Sequence, residues 1–251
     1  MAKQSAIIPF EGTLGNITFY KSEDGYRVKR KSAISKERLA TDPAFERTRE
    51  NGAEFGRGGT GGKTLPLAFK ELLKNAGDSK MVSRLTREMM RVLQSDTINT
   101  RGKRRIIDGN IALLTGFEFN LNGRLTTTLT APFSAAIDRV TGELTVNIPA
   151  FIPNRMLEVP DGATHYSICS AGAEVDFEQK KHLGDVQRTD ILPRDDRATA
   201  AVRFTHTVTA GSRLPLFLVL GVVFYQEMNG VLYPLKNASF NCLALVGASG
   251  S

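Results

Sequence analysis

The stretch of this chain most like reactive machinery is Gly58-Gly-Thr-Gly-Gly-Lys63-Thr64, a glycine-rich run closing on Lys-Thr. Such a run binds phosphates when its backbone N–H groups curl around them, so spacing is the test. A phosphate loop needs a glycine five residues before the glycine that precedes the lysine, and Arg57 holds that position. The loop must also leave a strand, whereas the residues before it are helical in pattern. The run therefore reads as a flexible linker between two helices. Arg57 and Lys63 retain a lesser reading, contact with a phosphate, a nucleic-acid backbone or an acidic partner without catalysis.

The densest positive cluster follows, Arg101-Gly-Lys103-Arg104-Arg105. Its composition suits contact with phosphates or an acidic protein face, set against the plainer reading of a solvated loop. The aromatic interleaving that stacks single-stranded bases is missing around it. His165, His182 and His206 stand apart, with no further ligand at metal spacing near any of them. No G-x-S-x-G elbow occurs, and Asp195-Asp196 falls in a polar loop where solvation accounts for the pair. The expectation is a non-enzyme, with no catalytic, metal-ligating or cofactor-binding residues.

Charge is regional. Residues 1–116 hold 22 Lys+Arg against 13 Asp+Glu, and residues 117–251 hold 11 against 13, which together give the net +7. A one-sided charge speaks to a partner surface, where an even scatter would speak to solubility. Cys169 and Cys242 lie in apolar strand-like runs and read as small buried hydrophobes; nothing in their spacing fixes a disulfide. The apolar run at the amino terminus is too short for a signal-peptide core. The longest apolar stretch, Leu214 to Tyr225, falls below the ~20 residues a spanning helix needs. No membrane span is expected, and synthesis is expected in the cytoplasm.

The elements that must position these residues divide at the same place. Ile17 and Phe19 alternate on one face, Ser22 to Gly25 supplies a turn, and Tyr26 and Val28 return on the apolar side with a basic face behind them. Asp42 before Pro43 predicts a helix start. The glycines at 56 to 62 are expected to end that helix. A second is expected over about Thr64 to Lys74, and a third over about Ser79 to Leu93 with Met81, Leu85, Met89 and Leu93 as its core stripe.

From Phe117 the pattern is strand and turn. Asn122-Gly123 predicts a hairpin between Phe117–Leu121 and Leu125–Leu129, and Asn229-Gly230 another. Leu144, Val146 and Ile148 alternate, as do Val202, Phe204, His206 and Val208. Ala163 to Phe177 reads as one long strand or a pair, and Leu214 to Tyr225 as a strand buried on both faces. The expected fold is mainly β: an antiparallel β-sandwich over 117–251, preceded in 1–116 by a basic α/β part made of a hairpin and about three short helices.

Two segments, Gly12-Thr-Leu-Gly-Asn-Ile-Thr-Phe-Tyr-Lys-Ser-Glu-Asp-Gly-Tyr26 and Asp42-Pro-Ala-Phe-Glu-Arg-Thr-Arg-Glu-Asn-Gly-Ala-Glu-Phe-Gly56, resemble the amino-terminal part of a family of uncharacterised proteins from Bacteroidota. The resemblance is strongest over 12–56 and brings no catalytic or ligand residues with it. It implies a bacterial, or bacteriophage-related, origin. Function is expected to be structural or assembly, with a homo-oligomer or partner protein held through the amino-terminal region. Ile7, Ile8 and Phe10 are the candidate contacts, because an arm of this kind leaves apolar groups wet until it docks. A nucleic-acid-associated role using the basic half is the alternative.

Overall fold

Alternating side chains and two glycine turns build the first sheet. The computed structural model describes residues 2–4, 10–30, 34–235 and 240–250. They divide into two units, Met1–Arg49 and Glu50–Ser251. In the first, β1 (Ala2–Lys3), β2 (Gly12–Leu14), β3 (Ile17–Ser22) and β4 (Gly25–Arg30) form an antiparallel sheet in the order β1-β4-β3-β2. The predicted hairpin is its centre, Ile17 facing Arg30 and Ser22 facing Gly25. Helix α1 (Lys36–Thr41) follows, capped by Ser35. Asp42 then accepts from the Ala44 N–H at 2.9 Å and, with Pro43, opens a 3-10 turn that leads into α2 (Glu46–Ala68).

Helix α2 corrects the linker reading, since it runs unbroken through the glycines at 56 to 62. Three of those glycines are close-packed. A Cβ on Gly58 would lie 2.7 Å from Met90 Sδ, one on Gly61 2.4 Å from Ile106 Cδ1, and one on Gly62 2.5 Å from Thr86 Oγ1. The helix accepts about 1 kcal/mol of propensity loss per glycine because neighbouring groups fill the vacated space. Pro66 is inside α2, which ends at Ala68. The predicted second helix is thus shared between the end of α2 and α3 (Lys70–Ala76). Helix α4 (Met81–Gln94) keeps its predicted stripe, with Leu85, Met89 and Leu93 fully buried.

The helices and the strands of the second unit share one core, so no separation falls at residue 116. The central sheet is β7 (His165–Asp176), β8 (Lys181–Arg188), β9 (Leu192–Pro193), β11 (Leu216–Met228), β12 (Val231–Pro234) and β13 (Cys242–Ser249), all antiparallel. One face of β7, β11 and β13 presents Ala171, Ala173, Phe217, Val219 and Leu243 to Leu65, Leu85 and Met89 of the helices and to Phe69 between α2 and α3. The other presents Ile168, Leu218, Leu220 and Val222 to a second sheet. That sheet consists of β5 (Ser134–Asp138), β6 (Glu143–Ile148) and β10 (Val202–Thr207), in the order β10-β6-β5. Strand β11 is buried on both faces, as its unbroken apolar run requires.

Asn229-Gly230 makes the predicted hairpin, with φ of +53° and +77° as a type I′ turn demands. Asn122-Gly123 does not. Leu125–Thr128 is a short helical turn (α5), and residues 117–119 pair with β13 instead. Phe119 N–H donates to Leu243 O at 2.9 Å, and Leu245 N–H to Phe117 O at 3.0 Å. The Glu118 carboxylate takes the Leu125 N–H at 3.0 Å at the start of that helical turn. Gly123 packs so close to another segment that a Cβ there would lie 2.7 Å from Phe240 O. Cys169 and Cys242 are buried free thiols, and burial pushes Cys169 up to about 12.

Candidate functional site

Register decides what the amino-terminal sheet shows. Residues directly opposite in an antiparallel pair share a face, and the pairs are Leu14 with Ile17, Phe19 with Val28, Ala2 with Val28 and Lys21 with Tyr26. One face is therefore apolar, edged by Lys21 and Arg30. The other carries Lys3, Thr18, Tyr20, Arg27 and Lys29, with Lys29 Nζ 5.2 Å from the centre of the Tyr20 ring. No described residue of Met1–Arg49 is buried. Leu14 is 77% exposed, Ile17 44% and Phe10 60%. Phe10 extends the apolar face, its ring 6.2 Å from that of Phe19. It is held there by Gln4, which accepts from the Phe10 N–H at 3.0 Å and donates to the Phe10 carbonyl at 3.1 Å. Ile7 and Ile8 lie outside the described residues. Chemically, this sheet offers association through one side and cation-rich contact through the other.

Most of the cations singled out by the sequence are spent on partners within the chain and do not form a free patch. Residues 58–64 lie within α2, so their N–H groups are spent on helical bonds and form no phosphate cradle. Residues 101–105 strap onto the same helix. Arg101 donates to Asn51 at 2.7 Å and faces Glu50, while the Gly102 N–H donates to Glu54 at 2.8 Å. Gly102, with φ +83°, leaves no room for a side chain, since a Cβ would lie 2.8 Å from Glu50 Cγ. Arg104 stands 3.9 Å from the buried Glu54, and Arg105 donates to Glu178 at 2.7 Å. Arg57 donates to the Gly102 carbonyl. Lys63 and Lys103 are exposed.

Asp96 anchors the strap. Burial opposes its charge, yet bonds from Asn99, Ile98 and Arg105 hold its carboxyl at about 2.

The structure also assembles a group that sequence spacing does not show. His206 Nε2 lies 2.9 Å from Ser170 Oγ, and its Nδ1 lies 2.8 Å from Asp185 Oδ1. The three come from β10, β7 and β8. Beside them Gly172 makes room for the ring, since a Cβ there would lie 2.5 Å from His206 Cβ. The geometry is that of a Ser-His-Asp relay, but Ser170 and His206 are fully buried between the two sheets. With His206 neutral, Nδ1–H donates to Asp185 and the serine hydroxyl to Nε2. With His206 charged, Nε2–H donates to Ser170, whose hydroxyl turns to Val219 O at 2.9 Å. The group clasps the sheets, with a second clasp beside it where Gln187 Nε2 donates to Thr205 O at 2.6 Å. Only the pairing of three distant strands brings it together, so the sole sequence signal was His206 on an apolar face.

Burial pushes the His206 imidazole below its ordinary value, against the pull of Asp185. The unfolded chain therefore takes up that proton more readily than the folded one. Stability from this site is full above the unfolded value of 6.5 and is lost as pH falls through the depressed folded value. Urea midpoints at pH 7.5 and 5.5 are expected to drop more for the natural chain than for His206→Gln; equal drops would contradict this account.

Among the described residues, no group of three or more His, Cys, Asp or Glu side chains could hold a metal ion, and no helix is long and apolar enough to cross a membrane. No protein-family model, no curated protein and no solved structure matches this chain.

Proposed function

We propose that this protein is a non-enzymatic structural or assembly subunit that associates with a second copy of itself through its amino-terminal sheet. The observation that carries this reading is the open apolar face formed by Phe10, Leu14, Ile17, Phe19 and Val28, on a sheet with no buried residue. A four-stranded sheet gains stability by covering such a face, and exposed apolar surface of this kind marks an interaction site. The full burial of Ser170 and His206 supports the non-enzymatic part, because the serine hydroxyl is out of reach of a substrate. The direct test is molecular mass of the full chain across concentration. Mass rising with concentration supports self-association, and a strictly monomeric chain at high concentration overturns it.

A second reading, association with nucleic acid, draws on the opposite face of the same sheet, where Lys3, Arg27 and Lys29 flank Tyr20. Its signature is steep salt dependence, because phosphate contacts release counterions. We expect weak, sequence-independent binding of a single-stranded oligonucleotide. Arg27→Gln with Lys29→Gln should flatten the salt slope, whereas neutralising Arg101, Lys103, Arg104 and Arg105 should change it less, since three of those four have partners within the chain. Tight binding that persists at physiological salt would move this reading to first place.

A further inference from the structure

Strands β8 and β10 are facing edges of the two sheets. Asp185 meets His206 and Gln187 meets Thr205, so the two edges run antiparallel. Past Gln187 a groove of about 840 Å³ opens between residues 187–190 and 197–204. Tyr166, Leu192, Pro193 and Phe204 give it an apolar floor, and Ala200 and Ala201 keep one wall free of large side chains.

The backbone along that wall is unspent. In an antiparallel pair, residues alternate between bonding the partner strand and turning away from it. Val208 N–H donates to Gly142 O, and the β10–β6 register continues from that pair, so Phe204 and His206 bond β6 while Arg203 and Thr205 turn outward. Thr205 is met by a side chain: Gln187 Nε2 donates to its carbonyl at 2.6 Å, and Gln187 Oε1 accepts from its N–H at 3.3 Å. A side-chain amide thus stands in for the donor and acceptor that a neighbouring strand would offer. Arg203, two residues along the same edge, lines the groove, and its backbone N–H and carbonyl have no partner there among the described residues.

We propose that this groove binds an extended peptide segment of a partner protein, which adds as a strand to the β10 edge at Arg203 and lays alternate small apolar side chains on the floor. The backbone selects this class of ligand, because an open donor and acceptor at strand spacing are matched by the repeat of another extended chain, with pockets reading every second side chain. Every residue involved lies in Glu50–Ser251, apart from the amino-terminal sheet on which self-association rests.

Calorimetric titration of the full chain with acetyl-Lys-Val-Thr-Val-Thr-Val-Thr-Lys-amide tests this, and saturable binding is expected. Two N-methylated versions, one carrying its methyls on the valine amides and one on the threonine amides, block opposite edges of the same peptide. They are expected to differ in affinity by about tenfold or more, because one peptide edge meets β10 and the other does not. Amide exchange followed by NMR should slow at Arg203 when the peptide saturates the chain. Arg203→Pro removes the outward N–H and leaves the bonds to β6 in place, a substitution that edge strands tolerate; it should weaken binding by about tenfold or more. If circular dichroism shows that this variant does not fold, the methylated pair on the natural chain decides the question by itself. No saturable binding of the parent peptide, equal binding of the two methylated versions, or binding without slowed exchange at Arg203 would each overturn the assignment.

Discussion

Replacing Gly62 with valine is expected to destabilise the protein by roughly 2–3 kcal/mol, while replacing Gly59 with alanine, three residues away, should stabilise it by about 0.5–1 kcal/mol. The two glycines belong to one run and one helix, so propensity alone would favour both changes. Space separates them. A Cβ at Gly62 would lie 2.5 Å from Thr86 Oγ1, 3.1 Å from the Thr86 amide nitrogen and 3.2 Å from its Cα. The hydroxyl can rotate away, but backbone cannot. Valine adds two methyl groups beyond that Cβ, so α4 must shift and carry Leu85 and Met89 off the sheet they cover. At Gly59 no atom outside the local helix lies within 4 Å, so an added methyl reduces the freedom of the unfolded chain and meets nothing. Urea unfolding of the two variants reads both signs. If both are neutral, the run is behaving as a linker and the helix packing described above is wrong.

The second large effect is on association. Leu14→Lys combined with Ile17→Lys should weaken self-association about 100-fold or more. The two residues are register partners on the apolar face and are 77% and 44% exposed in the single chain, so the fold loses little when they change. In an assembly that covers them, each apolar side chain contributes roughly 1.5–3 kcal/mol. Tenfold in affinity corresponds to about 1.4 kcal/mol, so losing both contacts suffices for the expected change, before the cost of burying two ammonium groups. Thr13→Lys with Thr18→Lys places the same charges on the opposite face of the same strand pair. Sedimentation velocity across concentration should find that control assembling like the natural chain. If both pairs weaken association equally, bulk charge is responsible and the apolar face is not the contact.

Much of the fold could be read from local pattern. The β3–β4 hairpin, the alternation of β6 and β10, the doubly buried β11, the stripe of α4 and the Asn229-Gly230 turn each follow from side-chain period or backbone preference within a dozen residues. The Asp42-Pro43 start was legible for the same reason, since a cap is a contact between near neighbours. The apolar and basic faces of the amino-terminal sheet were legible too, because strand pairing through a tight turn fixes which residues share a face.

What the tertiary structure decided is wherever a distant segment competes with the local preference. The glycines of α2 announce a break, yet Met90, Ile106 and Thr86 occupy the space that their missing side chains leave, and that packing holds the helix intact. Asn122-Gly123 announces a hairpin, yet the Glu118 carboxylate sits at the start of the following turn and β13 takes the backbone bonds of Phe117 and Phe119. The basic run at 101–105 looks like a free patch until Glu50, Glu54 and Glu178 arrive from elsewhere in the chain. Ser170, Asp185 and His206 are unremarkable on their own strands and become a clasp only when β7, β8 and β10 are brought side by side. Local period reports the conformation a segment prefers; which charges are spent, which glycines are filled and which polar groups meet depends on contacts between residues far apart in the chain, and only the assembled packing fixes those.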